Sequence, residues 1–166
     1  AWRPVYLAGV NLTPTLPGHF PAEAVTDSAL YADWLNKIRE LGANTIRVYT
    51  ILPPAFYQAL HQFNSTSPRH PLWLIQGIPF GSPPDNDMFD PGYSQACLRE
   101  VRAAIDVIHG QGDVGTTYGR PGGVYDYDVA SWVAGLVVGD TWLSHVVTGN
   151  NQLHPEMRNY EGTYVE

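Results

Sequence analysis

Trp132-Val133-Ala134-Gly135-Leu136-Val137-Val138-Gly139-Asp140-Thr141-Trp142 is the stretch on which the fold turns. It is an apolar run of strand length, rich in β-branched residues, with a glycine at each shoulder. That pattern predicts a buried strand that surfaces abruptly at Asp140, and chemistry is expected at that end. Three earlier runs have the same form, residues 5–11, 44–51 and 72–78, and they too close on polar or aromatic residues.

Helices are expected between these strands. Thr26 or Asp27 can cap a helix in which Leu30, Trp34, Ile38 and Leu41 share a face, with Gly42 at its C′ position. Pro53-Pro54 can open a second helix with Phe56, Leu60 and Phe63 on one stripe. A third, from about Tyr93 to His109, carries Cys97, Val101, Ala104, Ile105 and Ile108, with Asp90 as its N-cap before Pro91. Residues 110–123 are glycine-rich and are expected to form a flexible loop.

Strands that alternate with helices and are apolar throughout predict parallel β/α units buried on both faces and joined by right-handed crossovers. The expected fold class is therefore α/β, with four parallel β/α units in a single domain over residues 1–166 and residues 143–166 as a C-terminal tail. A flavodoxin-like sheet is the alternative, disfavoured because no glycine-rich phosphate turn follows the first strand. In either fold ligands bind beyond the carboxyl ends of the strands. That rim would present Asn11, Arg47, Tyr49, Gln76, Asp140, Thr141 and Trp142. Asn11 reads equally as a turn residue or a ligand-facing one. Arg47, set among apolar neighbours, needs a partner, either a structural carboxylate or an acid in a site.

Length suits one domain with a real core, since the chain has 166 residues, 44% of them hydrophobic and 15% charged. Nine basic residues against sixteen acidic ones give a net charge of -7, which argues against a nucleic-acid or anionic-membrane surface. No run approaches the ~20 apolar residues of a membrane span, and the first residues lack the pattern of a signal peptide. Cys97, alone, reads as a core residue. Asp85, Asp87 and Asp90 do not have the spacing of a calcium loop and read as solvated loop acids. His145, His154 and Glu156 fit no common metal motif, and the glycines match no nucleotide loop, so no cofactor or metal is expected.

The segment 41–53, Leu-Gly-Ala-Asn-Thr-Ile-Arg-Val-Tyr-Thr-Ile-Leu-Pro, resembles the second β/α unit of clan A glycoside hydrolases, in particular β-glucan-active (β/α)8 barrels. Leu74-Ile75-Gln76-Gly77 and the 132–142 run resemble the third and fourth strands of the same barrels. The resemblance spans nearly the whole chain as the N-terminal half of such a barrel. It implies half of a TIM barrel, completed by a second half or by dimerisation.

Retaining members of that clan use two glutamates with carboxyls about 5–5.5 Å apart, one protonating the leaving oxygen and one attacking the anomeric carbon. The resemblance sets the acid/base at the end of strand four, where Gly139-Asp140-Thr141-Trp142 places Thr141, which cannot serve as that acid. The nucleophile belongs to strand seven, for which this length has no room. Arg47 matches the strand-two arginine near the nucleophile, and Trp142 matches an aromatic able to stack on a sugar.

The expected function is that of a glycoside hydrolase-like protein acting on β-glucans or β-glucosides with an incomplete or rearranged site. Asp140 is the first candidate carboxylate, and Glu156 or Glu161 the second. Asn11, Arg47, Tyr49, Gln76, Thr141 and Trp142 are the expected substrate-binding residues. Two alternatives stand beside it. One is a non-catalytic carbohydrate-binding half-barrel using Trp142, Tyr49 and Trp73 for stacking; the other is a stable fragment of a longer glycosidase. The expected partners are a carbohydrate and a second copy of the chain, paired through the open strand edges at 5–10 and 133–138, with neither nucleic acid nor membrane.

Overall fold

The computed structural model describes residues 4–20, 23–117, 119–139 and 142–159. It is a mixed α/β fold with four α-helices and a four-stranded parallel sheet. The sheet consists of β1 (Gly9–Asn11), β2 (Thr45–Val48), β3 (Trp73–Ile78) and β6 (Val133–Val138), in the order β1-β2-β3-β6. The helices are α1 (Ser28–Glu40), α2 (Pro54–Thr66), α3 (Pro91–Ile108) and α4 (Ser144–Leu153).

Local chemistry explains where these elements begin and end. Asp27 caps α1, its Oδ1 accepting from the Ala29 N–H at 2.8 Å, and Asp90 caps α3 by accepting from the Tyr93 N–H at 2.7 Å. Prolines occupy the first turns of α2 and α3, where a missing N–H costs nothing. Gly42, φ +82°, ends α1 in the left-handed conformation.

Register assigns each side chain to a face. Ile46 pairs with Leu74, Val48 with Gln76, and Ile78 with Val138, so Ile46, Val48, Leu74, Gln76 and Ile78 share one face. That face joins a single core with Tyr31 and Leu35 of α1, Phe56, Tyr57 and Leu60 of α2, and Ala104, Val107 and Ile108 of α3. Arg47, Ile75 and Val137 point the other way and lie outside the core.

The strands are ordered as they occur in the chain. Right-handed crossovers then put successive helices on one face, without the reversal that a doubly wound sheet requires. The flavodoxin-like alternative needs β1 between β2 and β3, whereas β1 is an outer strand here.

Several expectations are corrected. Burial on both faces fails at the outer strands: Leu136 and Val138 are 43% and 48% exposed on the face that is core in β3, because α4 packs on the turn Pro84–Asn86 instead of on β6. The first strand pairs only over Gly9–Asn11. The glycine-rich segment is an antiparallel hairpin of β4 (Gly112–Val114) and β5 (Gly123–Tyr125), anchored by the buried Val114 and Tyr125. The expected C-terminal tail contains α4, with Val146 and Asn150 buried. Among the described residues no helix is long and apolar enough to cross a membrane.

Candidate functional site

Parallel strands bring Asn11, Tyr49, Phe80 and Trp142 to one end of the sheet, where β1, β2, β3 and β6 finish in turn. Asn11 is exposed at the end of β1, paired in register with Arg47 of β2. The Arg47 guanidinium carbon lies 4.7 Å from the centroid of the Tyr49 ring, which is 41% exposed. A cation stacked on one face of an aromatic ring stiffens it and leaves the rest of the ring for a ligand.

At the other side of the rim Trp142, 38% exposed, meets Phe80 and Tyr93 with ring centroids 6.4 Å away in each case. Tyr93 is fixed by donating its hydroxyl to the Gly81 carbonyl at 2.8 Å, and burial foremost pushes its phenol pKa up. Gly139 makes the turn after β6 possible: its φ is +64°, and a Cβ there would lie 3.1 Å from both Phe80 and Trp142.

Beyond the ends of β1 and β2 lies a cavity of about 440 Å³, bounded by Leu12, Thr13, Tyr49, Thr50, Thr117 and Arg120 among others. One wall is the tip of the β4–β5 hairpin. The Tyr125 hydroxyl donates to the Leu52 carbonyl at 2.9 Å, the Leu52 N–H donates to the Tyr57 hydroxyl at 3.4 Å, and the Tyr57 hydroxyl donates to Gln76 Oε1 at 2.8 Å. This buried relay locks the β2–α2 turn against the hairpin. Burial pushes the Tyr125 phenol up to about 12, against a smaller lowering by Arg120, so the phenol keeps its proton as the relay requires.

A third group sits on the β3–α3 turn. His154 Nε2 is 2.8 Å from Asp87 Oδ1, and its Nδ1 is 3.5 Å from Glu156 Oε1. The hydrogen bond to Asp87 raises the His154 pKa, and the same bond lowers that of Asp87. Nearby, Asn150 Oδ1 accepts from the Met88 N–H at 2.9 Å, fastening α4 to this turn.

The expected site residues therefore divide. Asn11, Arg47, Tyr49 and Trp142 come to the rim or its immediate support. Asp140, Thr141 and Glu161 lie outside the described residues. Gln76 is corrected: fully buried on the helical face, it bonds Tyr57 and donates to the Gly77 carbonyl, so it supports the site from within the core. Trp73 is also corrected, because it opens β3 and borders a cleft with Val5, Arg69 and His70 at the opposite end of the sheet. Glu156 is exposed on Pro155–Asn159 and faces His154.

Asp87 is more than the solvated loop acid expected, since it holds His154. Spacing offered no sign of that pair, which is 67 residues apart in the chain. The hairpin wall was equally hidden, although Val114 and Tyr125 flanking the glycines were an available signal for strands. Among the described residues no group of three or more histidine, cysteine, aspartate or glutamate side chains could hold a metal ion. Comparison with known proteins finds no matching family model, no matching curated protein and no matching solved structure.

Proposed function

We propose that this chain is a glycoside hydrolase-like (β/α)4 half-barrel that engages β-glucans or β-glucosides at the carboxyl ends of its strands. The observation that carries the reading is the rim itself: Tyr49 backed by Arg47, and Trp142 against Phe80 and Tyr93, present exposed aromatic faces where parallel β/α folds bind ligands. Pyranose rings carry one apolar face, and amphipathic aromatic rings pair with such faces at little entropic cost. Sequential strand order with the long helices in one core supports the half-barrel.

In this reading Asp140 acts at the end of β6, with Glu156 or Glu161 as second carboxylate, and Asn11, Arg47, Tyr49, Thr141 and Trp142 hold substrate. Closure of the barrel comes from a second copy: β1 and β6 are the outer strands, and the bare Leu136 and Val138 mark the flank that needs covering.

The test is turnover of an aryl β-glucoside and a soluble β-glucan by the purified chain. Hydrolysis that falls by at least about a hundredfold in Asp140→Asn supports the acid role, whereas turnover unchanged by that substitution removes Asp140 from the mechanism. A binding-only reading is favoured by one observation, threonine at position 141. Oligosaccharide binding with no hydrolysis establishes that reading instead.

A further inference from the structure

The carbohydrate reading rests on the aromatic rim, but the cavity beside it has its own chemistry. We propose that the cavity beyond the ends of β1 and β2 is a separate subsite for a neutral, hydroxylated ring, with Arg120 as its principal hydrogen-bond donor. Naming the ring a sugar rests on the proposed function; the location does not.

The cavity, about 440 Å³, falls within the size range of small-molecule sites. Leu12, Pro14 and Leu52 supply apolar wall, and Thr13, Thr50, Thr116 and Thr117 supply hydroxyls that both donate and accept. That mixture suits an amphipathic ring better than a hydrocarbon or an ion.

Arg120 is the second, independent sign. Its side chain is only 10% exposed, and its Nε lies 3.0 Å from Glu100 Oε2, an ion pair out of line for a hydrogen bond. Nη1 is also buried and has no acceptor among the described residues. A guanidinium carries five donors and no acceptor, and leaving buried donors unmet is costly. Arg120 lines the cavity and also the neighbouring cleft that Glu100 borders, so its guanidinium stands in the wall between the two.

What it lacks is an acceptor, not a counter-charge. Glu100 already compensates the positive charge, and the chain as a whole is at -7, which repels anions. A ligand hydroxyl meets the need, reached when the guanidinium turns toward the cavity, without adding a second anion beside Glu100.

The experiment follows backbone amide shifts of the whole chain during titration with laminaribiose, and separately with sodium glucuronate. Laminaribiose is expected to move Leu12, Thr50, Thr116 and Thr117. Arg120→Lys, which keeps a cation opposite Glu100, should weaken that binding by about tenfold or more. Thr13→Trp, which fills the cavity from an exposed loop, should abolish it and decides the matter should Arg120→Lys fail to fold.

Shifts confined to Phe80 and Trp142, or unchanged affinity in either folded variant, overturn the subsite and leave the carbohydrate reading standing. Glucuronate binding tenfold tighter than laminaribiose overturns the neutral ligand. No shifts with either sugar contradict both proposals.

Discussion

Tyr57 shows how one buried hydroxyl ties the core to the rim. It accepts from the Leu52 N–H and donates to Gln76 Oε1, so removing it strands a donor and an acceptor in an apolar interior. Tyr57→Phe is expected to cost about 1–3 kcal/mol, read as a lower urea midpoint at unchanged m. His154 carries a pH signature of opposite sign on its two sides. Its raised pKa stabilises the fold below the ordinary histidine value, and that contribution is lost as pH rises through the raised one. The lowered pKa of Asp87 stabilises above the ordinary carboxylate value, with loss as pH falls through the lowered one. The clasp is therefore complete between about pH 4 and about pH 6.5, the ordinary values of the two groups. Within that window Asp87→Asn should lower the melting temperature most, the difference from wild type shrinking on either side. Glu156, which also faces His154, extends the upper limb.

At the scale of elements, the β4–β5 hairpin links sequence chemistry to the site. A Cβ at Gly122 would lie 2.5 Å from the Thr116 nitrogen and the Val114 carbonyl oxygen, so Gly122→Ala must open the ladder or shift the tip. The expected result is loss of hydrogen-exchange protection in the hairpin, together with weaker sugar binding in the cavity. Helix starts and strand cores were legible because their causes are local. Asp27, Asp90, Gly42 and the stripe of α2 state their roles within a few residues, whereas the expected faces of α1 and α3 are offset: α1 buries Tyr31, Leu35 and Ile38 and leaves Leu41 exposed, and α3 buries Ala104, Val107 and Ile108 and leaves Ile105 exposed. The hairpin was not, because glycines dominate a short composition window while the pairing of Gly112 with Tyr125 is a tertiary fact. Gln76 was misplaced for a related reason. A strand residue's face depends on register, and the buried hydroxyl of Tyr57 that rewards an inward glutamine belongs to another element.

For the molecule as a whole, the sequence announced a parallel sheet through its alternating apolar runs and helices. What it could not announce was the bare flank of β6, because α4 docks on the β3–α3 turn, where Asn150 accepts from the Met88 N–H and Gly149 passes so close to Asn86 that a Cβ would lie 2.7 Å from it. A sheet with two outer strands and exposed Leu136 and Val138 invites association. Light scattering at micromolar concentration should give about twice the chain mass of 18.3 kDa, and a mass of one chain contradicts closure by a second copy. The proposed recognition of β-glucan by the aromatic rim is tested most directly by calorimetric titration of laminaritetraose. Wild-type protein should bind and Trp142→Ala should bind at least about tenfold more weakly, as loss of a buried aromatic face implies; equal affinity in the two proteins, or no binding by either, contradicts it.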